Sequence, residues 1–238
     1  MKKLLITLLI PCCAIAVDAQ TKKPVAKKTV STVAAPVKFA STMDSASYAF
    51  GMSMAASLKN GGLKTLNYDL LMKGFKAEFS GQKTALTQQS AEKAIGNTFK
   101  TVSQAKYAGI IAEGKQFLDN NKKTAGVQST ASGLQYLVLT QGTGTKPGPT
   151  DSVLVHYKGT LISGKQFDSS YDRGEPITLT LNGVIPGWTE GMQLMSTGSK
   201  YKFFIPYQLA YGERGAGPDI PPYSTLIFEI ELLKVNGK

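Results

Sequence analysis

Apolar side chains recur at helical spacing in three stretches of the amino-terminal half, 42–58, 67–81 and 87–120. Thr42 or Asp44 can cap the first stretch, and Asn-Gly-Gly ends it. The third stretch predicts a helix of roughly thirty residues, far above the globular mean. We therefore expect this helix either to span two domains or to pack against a second copy of the chain.

From residue 126 onward the pattern changes to short alternating stretches separated by clusters of glycine and proline. Five stretches predict strands, namely 134–139, 152–157, 177–181, 201–205 and 225–233. One further stretch, 188–195, predicts a short helix. We expect an antiparallel sheet with this helix on its apolar face, which is an α+β arrangement.

The chain opens with the pattern of a secretory signal. Lys2 and Lys3 precede an apolar run from Leu4 to Ala16, and small residues follow, so we expect residues 1–19 to be removed before Gln20. The run is too short to span a membrane as a helix. The sequence therefore predicts an exported protein, placed in the periplasm.

Both cysteines, Cys12 and Cys13, lie inside this segment. A lipoprotein would be cut before one of them, and the alternative of an outer-membrane-associated or lipid-anchored protein stays open. Pro11 stands where such cleavage needs a small residue, which argues against it. Cleavage before Gln20 would leave no cysteine for disulfides, thiol catalysis or metal binding.

Residues 20–41 have no helical or strand periodicity and predict a flexible basic linker. Five of the lysines behind the net charge of +11 lie here, with no acidic residue before Asp44. Because so much of the excess charge lies in this segment, the composition does not favour nucleic-acid binding. A peripheral contact with the anionic cell envelope is the partner that this segment suggests.

The single histidine raises the question of a hydrolase, because His156 is followed by Asp168, Ser169 and Ser170. A serine nucleophile needs a base within hydrogen-bonding reach and a carboxylate that orients it. Side chains alternate along the predicted strand, so His156 points away from the apolar face that carries Tyr157. We therefore expect His156 to be a structural residue and the two serines to be turn residues. Zinc-dependent hydrolysis is not expected, because the chain lacks ligands for the metal.

Four ordered blocks carry a resemblance to a known family: VHYKGTLISGKQFDSSYDRGEP, VIPGWTEGMQLMSTGSKYKFFIP, AYGERG and IPPYSTLIFEIELL. Together they resemble the FKBP-type peptidyl-prolyl cis-trans isomerase domain over most of residues 132–236. The preceding region, with DSASYAFGMSMAASL and GKQFLDNN, is similar to the amino-terminal half of the Mip-like and FkpA-like branch.

The resemblance implies an all-helical amino-terminal domain with a long connecting helix, followed by an FKBP-like antiparallel sheet wrapped around a short helix. Residues 42–125 would form the dimerisation domain and residues 126–238 the isomerase domain. It also implies a homodimer through the helical domain, and unfolded or partly folded proline-containing polypeptides as substrates.

The family's pocket maps onto ten positions of this chain. The resemblance implies catalytic roles for Tyr157, Phe167, Asp168, Trp188, Tyr211 and Phe228, and substrate contacts for Val184, Ile185, Ile220 and Ile177. Trp188 would form the floor, and Tyr211 and the backbone N–H of Ile185 would donate hydrogen bonds to substrate carbonyls. Asp168 would lie at the rim.

Two departures from the family pattern concern this pocket. Ile177 stands where many relatives carry an aromatic residue, and 216–219, Ala-Gly-Pro-Asp, differs from the usual loop. Isomerisation breaks no covalent bond, so neither a metal nor a cofactor is expected.

The leading expectation is an exported peptidyl-prolyl isomerase that accelerates the folding of envelope proteins. The alternative is a holdase-like chaperone, or peptide-binding module, that uses the helical half and has little isomerase activity. Methionines suit such a surface, and Met43, Met52, Met54 and Met72 occur there. A purely structural surface protein would have neither activity.

Overall fold

The computed structural model describes residues 36 to 236. The predicted signal sequence, Cys12, Cys13 and most of the predicted linker therefore lie outside the described residues. Within the described part, no helix is both long and apolar enough to cross a membrane. The chain divides into two compact units, one ending at Ala49 and the other beginning at Phe50.

Within residues 36–236, four α-helices precede the sheet: α1 (Thr42–Asn60), α2 (Tyr68–Phe79), α3 (Gln88–Lys106) and α4 (Ala108–Asn121). Helices α2 and α3 each begin one residue after the start that the sequence predicted, residue 67 or 87. The side chain of Asn67 accepts a hydrogen bond from the Leu70 N–H, and Thr87 accepts one from the Ser90 N–H. These bonds satisfy backbone donors that the first helical turn leaves free.

The predicted cap of α1 was wrong. Ser41, rather than Thr42 or Asp44, accepts a hydrogen bond from the Asp44 N–H at 3.1 Å. The Asp44 carboxylate in turn accepts from the Ala40 N–H at 3.1 Å. Thr42 already belongs to the first helical turn, where its hydroxyl cannot reach forward to a free N–H as a cap does.

The single long helix predicted over 87–120 is interrupted at Tyr107, which separates α3 from α4. Tyr107 has φ −104° and ψ 18°, outside the helical values. Its N–H still donates to the Ser103 carbonyl at 3.0 Å, and its own carbonyl accepts from Ile111 at 3.0 Å, so the interruption is one residue wide. No glycine or proline marks this position, and periodicity alone does not predict it.

Seven strands form one antiparallel sheet: β1 (Val127–Ser129), β2 (Gln135–Thr140), β3 (Ser152–Leu161), β4 (Gln166–Ser169), β5 (Ile177–Thr180), β6 (Lys200–Ile205) and β7 (Leu226–Asn236). The strand order is β1-β2-β6-β7-β3-β4, and β5 also pairs with β3. The sequence did not predict β1 and β4, because each contains a single apolar side chain, Val127 or Phe167, and one apolar position shows no alternation. The short helix α5 is Pro186–Met192, so it begins and ends earlier than predicted.

Strand β3 organises the sheet because it pairs with three others. One edge pairs with β7 along its whole length, and the opposite edge is shared between β5 at Ser152–Val155 and β4 at Lys158–Thr160. The side chains of Val153, Val155 and Tyr157 are all buried in the core, as alternation predicts.

Two glycines allow α5 to lie close against strand β6. A Cβ at Gly187 would stand 2.5 Å from a methyl of Ile205, and one at Gly191 would stand 2.6 Å from the ring of Phe203. The two positions are four residues apart and so lie on one face of the helix. This close approach places Trp188, which lies between them in sequence, among core residues of the sheet.

Candidate active site

Trp188 lines a cavity next to the core. Only 5% of its surface is exposed, and the edges of the Tyr157 and Phe228 rings meet it with centroids 5.2 Å away. Phe167 meets Phe228 edge-on at 5.4 Å. Edge-to-face contacts are a favoured arrangement of aromatic rings. The four rings therefore hold one another in place as a rigid apolar wall.

The cavity has a volume of about 580 Å³. It is lined by all ten residues that the sequence proposed: Tyr157, Phe167, Asp168, Ile177, Val184, Ile185, Trp188, Tyr211, Ile220 and Phe228. Leu179, Gly183 and residues 216–219 complete the lining. The structure thus brings residues from four strands, one α-helix and two loops to one place, while the role of each remains a prediction.

One side of the rim is polar. The Tyr157 hydroxyl donates a hydrogen bond to the Asp168 carboxylate, and Arg173 donates to the other carboxylate oxygen at 2.5 Å. Arg173 also donates to the Tyr157 hydroxyl at 2.8 Å. The resemblance did not name Arg173, although it lies within the quoted block, five residues after Asp168. Its place in the site depends on the turn that follows β4.

These contacts decide the protonation of the rim. Burial acts to raise the pKa of Asp168, but the hydrogen bonds from Tyr157 and Arg173 outweigh it, so this pKa lies below its ordinary 3.8. Burial and the hydrogen bond to Asp168 raise the pKa of Tyr157 above 10.0. At neutral pH the rim therefore presents a carboxylate, a guanidinium and a neutral phenol.

Tyr211 lies on the loop that leads to β7. Its side chain is 40% exposed and lines the cavity. Burial, and secondly the charge of Asp168, raises the pKa of Tyr211 above 10.0. The hydroxyl therefore keeps its proton, and with it the ability to donate, over the physiological range.

His156 lies outside the cavity, as alternation predicts, but it does contact a serine. Its Nδ1 is 2.9 Å from the Ser170 Oγ, and its ring stacks on Tyr171. Ser170 is fully buried, and its Oγ accepts the Tyr157 N–H at 2.8 Å. The Ser170 hydroxyl is buried and hydrogen-bonded to the backbone, so it cannot reach a substrate. Together, His156 and Ser170 link β3 to the end of β4. Ser170 is thus a buried link and not a simple turn residue.

The protonation states of the rim predict that kcat/KM does not change with pH except for a decline at acidic pH. We expect kcat/KM to be constant from about pH 5 to pH 9, because Asp168 stays ionised and Tyr211 stays protonated there. Asp168 has a lowered pKa, so its stabilising contribution is present above 3.8 and is lost as the pH falls through its folded value. Peptide isomerisation followed by nuclear magnetic resonance, with circular dichroism at each pH, measures this. A decline already at pH 6 would contradict it.

Two family models match the chain. Residues 143–233 match the FKBP-type peptidyl-prolyl cis-trans isomerase family, and residues 43–138 match the domain amino terminal to FKBP-type peptidyl-prolyl isomerase. The two matches follow one another along the chain and cover most of it. They confirm the order of helical region and isomerase domain that the resemblance implied.

Individual relatives agree with the family models. The FKBP-type 22 kDa peptidyl-prolyl cis-trans isomerase of Escherichia coli strain K12 is 45% identical over 193 residues, which cover 80% of this chain and 94% of that protein. The outer membrane protein MIP of Legionella longbeachae is 40% identical over 200 residues, 81% of this chain and 85% of that protein.

A solved structure is also similar. The crystal structure of FkpA from Escherichia coli matches with a TM-score of 0.54 and 40% identity, covering 83% of this chain and 98% of that chain. The predicted α+β class is therefore confirmed, with a helical region before an antiparallel sheet and its helix. With these matches and the aromatic cavity, the chain belongs to the FKBP-type peptidyl-prolyl cis-trans isomerases, in the branch of FkpA and MIP that carries an amino-terminal domain.

Proposed function

We propose that this isomerase accelerates the folding of exported, proline-containing proteins by holding the X-Pro bond in the aromatic cavity. The observation that carries the proposal is the aromatic wall around Trp188, with the polar cluster of Tyr157, Asp168 and Arg173 at its rim. The prolyl ring would lie on Trp188, between Tyr157, Phe167 and Phe228. The bond to be turned would then lie near the mouth.

The chemistry required is rotation about a bond with partial double-bond character. Its barrier is about 18–20 kcal/mol, because rotation removes the amide resonance. The twisted state carries less charge separation than the planar amide. An apolar cavity therefore disfavours the planar form more than it disfavours the twisted one. Interactions that are stronger in the transition state lower the barrier, and each ~1.4 kcal/mol is worth about tenfold in rate.

Two donors and one ion pair would orient the substrate. Tyr211 would donate its hydroxyl proton to a substrate carbonyl, and Ile185 would donate its backbone N–H to another. Asp168 would act from the rim, where Arg173 holds it in a fixed orientation. Val184, Ile220 and Ile177 would contact the side chains that flank proline.

We further propose that the protein is a homodimer through the helices, within a dimerisation domain of residues 42–125 and next to an isomerase domain of residues 126–238. Helices α1, α2 and α3 have no buried residue in the single chain. Large apolar side chains are exposed on them, among them Phe50 at 76%, Tyr68 at 69% and Phe79 at 87%. A second copy would cover this apolar surface, which single chains rarely leave open to water.

An exported location fits the signal pattern and the relatives. The Legionella relative is named as an outer membrane protein. We propose the periplasm for this chain, with the basic linker making a peripheral contact with the envelope. Whether Cys12 or Cys13 carries a lipid is decided by the intact mass of the exported protein.

The holdase alternative rests on the same exposed surface. Met43, Met52 and Met72 are 72%, 60% and 51% exposed, while Met54 is half-buried. Methionine adapts to varied partners, so the surface could hold unfolded chains. Dimer packing and client binding compete for these side chains, and the experiment below separates them.

The test is the refolding of a protein whose slow phase is proline isomerisation, with the full-length chain present in catalytic amounts. Without a catalyst, this phase takes about tens to hundreds of seconds. We expect the protein to convert it into a faster phase. Sedimentation of the same preparation of the full-length chain should give twice the mass of a single chain. An unchanged slow phase, combined with suppressed aggregation at equimolar protein, would instead support the holdase alternative. A monomer would contradict the dimer.

A further inference from the structure

The loop from Tyr211 to Tyr223, here called the pocket loop, carries six residues of the cavity lining, namely Tyr211 and residues 216–220. Tyr211 stands at its start and Ile220 near its end. The Tyr223 N–H donates to the Gly212 carbonyl at 2.9 Å and closes the base of the loop. The position of the loop therefore depends on how firmly Tyr223 is held.

Tyr223 is under conformational strain. Its φ is 63°, and among residues 36–236 no other non-glycine residue has a positive φ. Its side chain is fully buried, and its hydroxyl has no hydrogen-bond partner within the described part of the chain. A residue in such a conformation persists only where its surroundings hold it.

Two tyrosine rings provide this support. Tyr207 meets the Tyr223 ring edge-on with a centroid distance of 5.1 Å. Tyr107 meets it at 5.8 Å and an angle of 40°. Tyr207 belongs to the isomerase domain, but Tyr107 is the residue that interrupts the helix between α3 and α4. The break in the helix and the support of the pocket loop thus involve the same side chain.

A second contact joins α3 to the pocket loop. The Lys100 ammonium lies 2.9 Å from the carboxylate of Glu213, two residues after Tyr211. The hydrogen bond and charge of Glu213 raise the pKa of Lys100 above 10.5, so the lysine stays charged at neutral pH. The pair is half exposed, and salt will weaken it.

Helix α4, in contrast, is packed directly on the sheet. A Cβ at Gly114 would stand 2.6 Å from the Thr225 Oγ1, so only glycine allows this approach. Phe117 also contacts Phe204, with ring centroids 5.9 Å apart. Because α4 is anchored, a change in the direction of α3 is taken up at Tyr107, next to Tyr223.

From these contacts we infer that Tyr107 and Lys100 are positioning residues of the isomerase, which hold the pocket loop from the helical region. The helices then contribute to catalysis in addition to any pairing of chains. Neither residue lies in the cavity, and neither touches the substrate. Without the contacts of Tyr107 and Lys100, the loop would be less ordered in the free protein. Substrate binding would then have to order it, which weakens binding.

The first test compares Tyr107→Ala with Tyr107→Phe in the full-length chain. Loss of the ring should raise KM about fivefold while kcat changes less than twofold, because the ordering cost falls on binding. The phenylalanine variant keeps the ring and should restore the wild-type KM. Acrylamide quenching of Trp188, the single tryptophan, should increase in the alanine variant alone. The denaturation midpoint is measured for both, since a purely structural role would move only that.

The second test uses charge reversal on the exposed pair, which does not threaten folding. Lys100→Glu and Glu213→Lys should each raise KM about twofold to threefold at low salt, and the double exchange should recover most of the loss. Wild-type KM in both single variants, together with wild-type KM and quenching in Tyr107→Ala, would overturn the inference. If Tyr107→Ala fails to fold, the charge series decides alone. Because the readouts are peptide isomerisation, tryptophan quenching and the denaturation midpoint, none of which uses a client protein or measures pairing of chains, the result does not depend on the proposed clients or dimer.

Discussion

Trp188→Ala is expected to lower kcat/KM about a hundredfold, the largest effect of any single change in the cavity. The substitution removes the floor on which the prolyl ring would lie and the surface that holds Tyr157 and Phe228 edge-on. It also leaves a void in the core, which costs about 3–5 kcal/mol of unfolding free energy. The peptide isomerisation assay and urea denaturation measure the two effects separately.

Trp188→Phe is the matched control for this change. It keeps an aromatic floor and removes the indole N–H, which is buried without a hydrogen-bond partner in the described structure. We expect it to retain activity within about tenfold of wild type and to unfold at a midpoint between those of wild type and Trp188→Ala. Undiminished kcat/KM in a folded Trp188→Ala protein would refute the proposed role of the floor.

Gly159→Ala is expected to lower kcat/KM about tenfold although it adds only one methyl group. Gly159 on β3 is paired with Phe228 on β7. A Cβ at this position would stand 2.6 Å from the Phe167 ring and 2.7 Å from the Phe228 ring. Because both rings form the wall of the cavity, the methyl must push them apart or bend the strand. Overpacking of this kind costs about 1–3 kcal/mol of stability.

Gly96→Ala makes the same chemical change where the space is open, since no atom would lie within 4 Å of its Cβ. This helical position should gain about 0.5–1 kcal/mol of stability and keep wild-type activity. The pair of variants separates steric pressure on the cavity from the general effect of replacing glycine. Equal activities of Gly159→Ala and Gly96→Ala would mean that the wall tolerates the methyl.

Local patterns in the sequence predicted most of the elements, and each failure has a physical reason. The starts of α2 and α3 were predicted within one residue, because the apolar periodicity begins at Asn67 and Thr87; that these two residues cap the helices is a finding of the structure. Strand β4 was missed, since Phe167 is its single apolar side chain and one such position shows no alternation. The break at Tyr107 was missed because its ring contacts Tyr223, more than a hundred residues later in the chain.

The cavity was located in advance through the resemblance, whose motifs lie on contiguous stretches of sequence. Composition alone did not distinguish its aromatic residues from ordinary core residues. Arg173 was not predicted, because its role depends on the turn after β4 that brings it to Asp168 and Tyr157. The hydrogen bond between His156 and Ser170 was missed for a similar reason.

The sequence by itself determined the α+β order, most strands and helices, the family resemblance and the side of β3 that faces the core. These depend on periodicity and on residues close together in the chain. Only the tertiary structure decided the ion pair at the rim, the space that Gly159 leaves for two rings, and the support of the pocket loop by Tyr107. Each of these needs a strand register or a loop path that brings distant residues within a few ångströms, and no local pattern records such a distance.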